Sequence, residues 1–351
     1  MTKLIDMKVL VTGATGFVGS HLAKALAGQG AELTCLVRPN SATEPLAALG
    51  ARCLPFADIT DLQAIRQAVA GQQVVFHVAG RVTAVKPAQY YQTNVEGTRC
   101  VAQACAEQDN PPVLVLVSSL AAAGPAVDHR PRTEDDPPQP VSHYGRSKLA
   151  AELAAASFGD RAPVTVVRPC IVFGQGDRAT LDMFRSVARY RIHLIPGFSR
   201  HRYSLIHVSD LADLLVRAAC RGRRIPAEVA EAVRRGETKT SGKGVYFAAY
   251  PQHLSYWELG GLIAEAANTP WVCFTLVPMP IVWLVAGVGT AVSKWRSSPV
   301  YLNLDKAREI AAGSWICSPQ KAMAELGFCP TVSPLQRLKE TVVWYRAHGW
   351  L

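Results

Sequence analysis

Tyr144-Gly145-Arg146-Ser147-Lys148 sets a phenol and an ammonium four residues apart. On a helix, positions i and i+4 share a face, so both groups converge on one point. A tyrosine hydroxyl titrates near about 10, and a nearby cation stabilises its phenolate, so it can exchange a proton with an alcohol or carbonyl at neutral pH. Alone, Tyr-x-x-x-Lys arises too easily by chance to persuade. Its position adds weight, because it opens a helix after residues 113–118, the fifth apolar run, which ends at Ser118 and Ser119. Ligands of open α/β sheets sit beyond strand C-termini. A Ser119 hydroxyl there can hold a substrate oxygen beside Tyr144; Ser118 is the weaker candidate, and either can be an ordinary strand-end hydroxyl.

A second site lies near the N-terminus. The strand Lys8–Thr12 runs into Gly13-Ala14-Thr15-Gly16-Phe17-Val18-Gly19, which opens a helix. Glycines let the backbone approach a pyrophosphate, and the helix N-terminus supplies N–H donors and a positive dipole. Gly13, Thr15, Gly16, Phe17 and Val18 are therefore the candidate contacts. Gly-x-x-Gly-x-x-Gly is weak in isolation and strong between a buried strand and a helix at the start of a βαβ series. The second strand ends Leu36-Val37-Arg38 with no carboxylate to hold a ribose 2′-hydroxyl. An arginine there accommodates a 2′-phosphate, which favours NADP(H) over NAD(H) and leaves NAD(H) as the alternative. The bland reading of Arg38 is a surface arginine.

Elements that position both sites follow from periodicity. Lys8–Thr12, Glu32–Val37 and residues 51–57, 74–78, 113–118 and 164–168 are apolar almost throughout, as strands buried on both faces require. Helical stretches at 17–29, 62–70, 90–107 and 144–158 alternate with them. The fold class is α/β, a doubly wound parallel-sheet Rossmann fold. Residues 1–173 are read as mainly the dinucleotide-binding domain and 174–351 as mainly a smaller substrate lobe, with some segments returning to the sheet. Residues 221–243 hold seven basic and three acidic side chains. They read as a solvated insertion without an apolar stripe, partly helical across 226–235. Residues 276–292 are nearly free of charge but too short and interrupted for a spanning helix. They read as a buried or substrate-lining helix, with a peripheral membrane contact through 276–296 as the sharper alternative.

With 351 residues, 49% hydrophobic and 18% charged, the composition is globular. Nine scattered cysteines, with no Cys-x-x-Cys pair, point to reduced thiols and neither a disulfide framework nor a metal site. The first seven residues carry too little apolar length for a signal peptide, so the expectation is cytoplasmic, with membrane association as the variant. The net charge of +10 suits an anionic substrate, an anionic membrane or nucleic acid, or simply a basic soluble protein. The basic residues form no aromatic-interleaved motif, which argues against nucleic acid.

Taken together the motifs resemble the extended short-chain dehydrogenase/reductases, the superfamily of NAD-dependent epimerase/dehydratases and 3β-hydroxysteroid dehydrogenases. The likeness runs along essentially the whole chain. Phe56-Ala57-Asp58-Ile59 resembles the adenine-contacting segment, and Val75-Phe76-His77-Val78-Ala79-Gly80 the strand passing the cofactor. Asn94-Val95-Glu96-Gly97-Thr98, Arg168-Pro169 and Ile206-His207-Val208-Ser209-Asp210 follow in the expected order. The resemblance implies that Asp58, Ile59, Ala79, Gly80, Asn94 and Pro169 also line the cofactor. Trp315-Ile316-Cys317-Ser318, Glu325-Leu326-Gly327-Phe328 and the C-terminal Trp344-Tyr345 resemble the 3β-hydroxysteroid dehydrogenase branch, which includes decarboxylating sterol-4-carboxylate 3-dehydrogenases. Residues 221–243 and the absence of an acid at Val37 depart from the pattern.

The resemblance thus implies alcohol–ketone interconversion on a lipophilic, sterol-like small molecule, with loss of CO₂ where a carboxylate sits β to the new ketone. Tyr144 would be the acid/base, Lys148 would lower its pKa and hold the nicotinamide ribose, and Ser119 would orient the reacting oxygen. It also implies a homodimer. The rival readings are a nucleotide-sugar epimerase or dehydratase, a small ketone or aldehyde reductase, and a non-catalytic dinucleotide-binding module. Asp177, Arg178 and residues 201–203 either line the substrate entrance or are ordinary loop residues.

Overall fold

The computed structural model describes residues 4–128, 130–197, 201–238 and 242–351. Its main sheet contains β1 (Lys8–Thr12), β2 (Glu32–Val37), β3 (Arg52–Pro55), β4 (Val74–His77), β5 (Val113–Val117) and β6 (Val164–Pro169), with a seventh strand at Val245–Ala248. The spatial order is Val245–Ala248, β6, β5, β4, β1, β2, β3, with every pairing parallel. Chain direction across the sheet reverses between β1 and β4, so a crevice opens at their C-terminal ends. Val9, Leu10 and Val11 are fully buried in β1, as are Val75 and Phe76 in β4. Each such side chain contributes about 1.5–3 kcal/mol of burial.

The strand at 51–57 is shorter than its apolar run, since only Arg52–Pro55 pair. β3 is the sheet edge and is half-exposed, so no second neighbour extends the ladder. The helix expected at 90–107 divides into Pro87–Tyr91, a π-helical turn at Gln92–Glu96 and Gly97–Ala106. A π turn inserts one residue into the helical ladder and tends to occur at functional sites; here it carries Asn94.

Beyond residue 174 the chain returns twice to the Rossmann unit. Val208–Arg221 packs Leu211, Leu214 and Leu215 with Leu22 and Leu26 of the helix Phe17–Ala27, and Val245–Ala248 completes the sheet. The expectation for 221–243 needs correcting, because a short apolar stripe exists. Ile225, Val229 and Ala230 are buried around the helix Ala227–Arg234, and the first two join the core that includes β5 and β6. The seven basic residues of the segment mask this spacing of four, and residues 239–241 lie outside the described residues.

The remaining segments form a three-stranded sheet, Ile171–Phe173, Arg202–His207 and His253–Ser255, and a parallel pair, Ile192–Pro196 with Cys273–Val277. The run at 276–292 is divided between that last strand and the helix Met279–Trp295. A buried helix is not what forms. Val282 and Ala286 are buried, but Ile281, Trp283, Leu284, Val285 and Val288 are exposed, Leu284 to 68%. No helix among the described residues is long and apolar enough to cross a membrane.

Candidate active site

The glycine turn stands at the C-terminal end of β1, at the switch point. Gly13 has φ +73°, and a Cβ there would meet the Ala79 amide nitrogen at 2.7 Å. A Cβ on Gly19 would stand 2.1 Å from the Gly13 carbonyl oxygen. Gly16 caps the helix Phe17–Ala27, and no side chain occupies that cap. The N-terminus is therefore left to backbone N–H groups and dipole, as a diphosphate requires. Thr15 and Gly16 are exposed, and Phe17 and Val18 half-buried, on this cradle. A Gly19→Val substitution is expected to destabilise the protein and abolish dinucleotide binding, read by thermal melting and by NADPH fluorescence titration; unchanged binding would mean the cradle is not used.

Buried hydrogen bonds fix the floor beside the turn. His77 holds Thr12 Oγ1 at 2.7 Å through Nδ1 and Thr98 Oγ1 at 3.0 Å through Nε2. Complete burial brings its pKa down to about 3, so it is a neutral spacer. The Ala79 amide donates to Thr12 Oγ1 at 3.2 Å, which sets Ala79 and Gly80 at the crevice edge. Arg38 is exposed just beyond β2, whose Leu36 lies opposite Thr12. Asp58, exposed after β3, accepts the Thr60 amide and hydroxyl, both at 2.9 Å, while Ile59 is buried against Gly97. Pro169 is buried at the end of β6, beside Ala248.

Tyr144 and Lys148 lie on the helix His143–Ala156, which starts at the Ser142 cap. Tyr144 is half-buried, with Ser119 acting on its hydroxyl, and its ring centroid is 6.1 Å from that of Tyr90. Burial pushes its pKa up to about 12, with Ser119 and Lys306 pulling against the rise and Glu309 adding to it. Ser119 caps the short helix Leu120–Ala123 and accepts the Ala121 amide at 3.1 Å. Lys148 is buried and donates to the Val117 carbonyl at 2.8 Å. Desolvation brings its pKa down to about 8, and Glu152, one turn on, works the other way. A Cβ on Gly80 would stand 3.7 Å from its Nζ and 3.4 Å from Asn94 Oδ1. Asn94 in turn donates to Ser147 Oγ at 2.9 Å and to the Arg81 carbonyl at 3.1 Å. The crevice thus gathers Gly80, Asn94, Ser119, Tyr144 and Lys148, from four separate elements.

The family model described as the NAD dependent epimerase/dehydratase family matches residues 9–230. The chain belongs to that family, the extended short-chain dehydrogenase/reductases. It is similar to the ceramide reductase of Caulobacter vibrioides, 30% identical over 98% of this chain and 96% of that one. It is also similar to 3 beta-hydroxysteroid dehydrogenase type 7 of Homo sapiens, 29% identical over 60% of this chain and 62% of that one. A solved structure, that of gox2253, superposes with a TM-score of 0.77 at 25% identity, covering 99% of this chain and 100% of that one. As a family member the chain is an oxidoreductase that works with a nicotinamide dinucleotide, and the cradle around Gly13 fits such a group.

Several residues of this extended short-chain enzyme's crevice escaped sequence reasoning. Asp305 accepts the His143 and Tyr144 amides at 2.8 and 3.1 Å. Glu309 accepts the Ser142 hydroxyl at 2.6 Å, and Ser142 itself takes the Gly145 amide at 2.9 Å. Behind the helix, Glu152 is paired with Arg168 at 2.9 and 2.6 Å and also accepts the Ser118 hydroxyl. Ser118 is therefore tied into the floor. The spacing Tyr144–Lys148–Glu152, a steady step of four, was the available signal for Glu152. Asp177 is buried and accepts the Ala179 and Thr180 amides at 2.8 and 3.0 Å, so it shapes its own loop.

Proposed function

We propose that the protein is an NADP(H)-preferring reductase that interconverts a ketone and a secondary alcohol on a membrane-derived amphiphilic lipid, with Tyr144 as proton donor. The carrying observation is continuity between an exposed apolar helix and the half-buried phenol. Met279–Trp295 runs into Leu304–Ala311, with the Leu304 amide on Thr290 Oγ1 at 3.0 Å, and Asp305 of the second helix grips the Tyr144 backbone. The exposed Ile281, Leu284, Val285 and Val288, flanked by Lys294 and Arg296, suit an anionic bilayer surface. The names of the ceramide reductase and the steroid dehydrogenase also favour a lipophilic substrate, and the fuller coverage by the former moves the reading from sterols towards amphiphiles generally.

In this reading the glycine turn, Asp58, Ile59, Ala79, Gly80, Asn94 and Pro169 hold the dinucleotide. Arg38, just beyond β2, together with the lack of an acid at Val37, supports the preference for a 2′-phosphate. The nicotinamide, when bound, supplies or takes the hydride. Ser119 orients the reacting oxygen, Tyr144 gives it a proton, and Lys148, held by the Val117 carbonyl, keeps positive charge below the site. The Rossmann unit of residues 1–173 would carry the cofactor, and the later segments, less those returning to the sheet, the substrate. A homodimer remains part of the proposal.

The test is turnover of a long-chain 3-ketoamide and a 3-keto sterol, delivered in anionic phospholipid vesicles or in detergent micelles, with NADPH or NADH. Faster turnover with NADPH is expected, and Leu284→Glu should lower the rate on vesicles while leaving the micelle rate intact. Turnover of a nucleotide sugar with neither lipid ketone reduced would overturn the proposal.

A further inference from the structure

The helix Leu304–Ala311 closes over the start of the helix bearing Tyr144, from 161 residues further along the chain. Asp305 and Glu309, through Ser142, take up the amide and hydroxyl donors of that first turn. Lys306 lies between these two residues in the chain and pairs with the second. Its ammonium donates to Glu309 Oε2 at 2.8 Å and lies 5.4 Å from the Tyr301 ring centroid. Its charge acts on Tyr144, Tyr203 and Tyr256, and the last two rings meet edge to face with centroids 4.8 Å apart. Reducing chemistry at Tyr144 thus happens beside a cation ringed by phenols.

An ammonium has three donors, and Glu309 takes one. The Lys306 side chain keeps 37% of its surface exposed, although Glu309 beneath it is buried. The charges around it are already balanced, Lys306 by Glu309 and Asp305 by Arg308 at 3.5 Å. A substrate carboxylate arriving here would meet no uncompensated cation and would lose its water. A neutral carbonyl oxygen takes the free N–H donors without leaving an unpaired charge, and its hydrogen bond is charge-assisted.

We propose that Lys306 determines substrate specificity by donating to a neutral amide carbonyl close to the reacting carbon, with Asp305 and Glu309 fixing it to the helix that carries Tyr144. This rests on the reading of Tyr144 as the proton donor. It adds a requirement the fold alone does not impose, a polar neutral group next to the ketone or alcohol of the lipid.

The experiment titrates the NADP⁺-loaded protein with three probes of equal chain length: a 2-acylamino-3-alkanol, the matched 3-alkanol and a 3-hydroxyalkanoate. Binding is followed by calorimetry, in parallel with turnover of the corresponding ketones. The wild type should bind the acylamino alcohol on the order of tenfold more tightly than either other probe. Lys306→Met should erase that preference and Lys306→Arg should keep most of it. Because Lys306→Met strands the Glu309 carboxylate, the double variant Lys306→Met/Glu309→Gln serves as a second test that leaves no unpaired charge. Equal binding of the three probes, tightest binding of the carboxylate, no binding of any, or a preference that survives both variants would overturn the role of Lys306. Turnover without preference would leave the hydride-transfer reading standing, and preference without turnover would remove that reading alone.

Discussion

Tyr144→Phe is expected to lower the rate of carbonyl reduction by about 10²- to 10⁴-fold while cofactor affinity stays within a few-fold. The substitution removes one hydroxyl from a half-buried ring whose packing against Tyr90 is unchanged. What disappears is the proton donor and its interaction with Ser119. Direction matters here. A phenol pushed up to about 12 by burial is fully protonated at neutral pH, which equips it to give a proton to a ketone oxygen. Taking a proton from an alcohol needs the phenolate, so oxidation should climb with pH well beyond neutrality. Reduction should instead be level on the acid side and fall as pH rises through about 8, where Lys148 loses its charge. Lys148→Met should remove that alkaline fall and leave a lower, flatter profile. A Tyr144→Phe enzyme with undiminished steady-state reduction would exclude the phenol as donor.

Glu152→Ala is expected to cost about 3–5 kcal/mol of folding stability, measured by urea denaturation with the cofactor absent. Glu152 and Arg168 are both almost wholly buried, and two hydrogen bonds of 2.9 and 2.6 Å join them. Truncating the acid leaves the guanidinium without its hydrogen-bonded counter-charge, with only the carboxylate of Glu134 still acting on it, and the Ser118 hydroxyl without its acceptor. Replacing both members by apolar side chains of similar size should cost much less, since the desolvation of the pair disappears with it. Loss of under 1 kcal/mol in Glu152→Ala would mean that water reaches Arg168. Lys148 sits one turn before Glu152, so the variant should also move the alkaline fall in reduction to lower pH.

The dinucleotide cradle and the Tyr144/Lys148 pair were legible in the chain because each is written in contiguous residues. A strand, three glycines and a helix start are one local pattern, and i to i+4 spacing is a property of any helix. Strand sites were legible for the same reason, since runs apolar on both faces need a covered parallel sheet, and all six expected strands form. The seventh, Val245–Ala248, was hidden because its four residues follow a polar segment and reach the sheet only through pairing with β6.

Other features rest on distances that no local pattern encodes. Asp305, Lys306 and Glu309 read as an ordinary charged helix until folding brings them onto the first turn of a helix 161 residues earlier. The rise in the Tyr144 pKa comes from burial, and burial belongs to the whole molecule. Hydropathy marked 276–292 as apolar but could not say which face meets protein, because that is decided by what packs beside it. Local sequence therefore determined the backbone pattern and the chemical groups; tertiary structure alone decided their surroundings, because desolvation and charge pairing depend on neighbours in space.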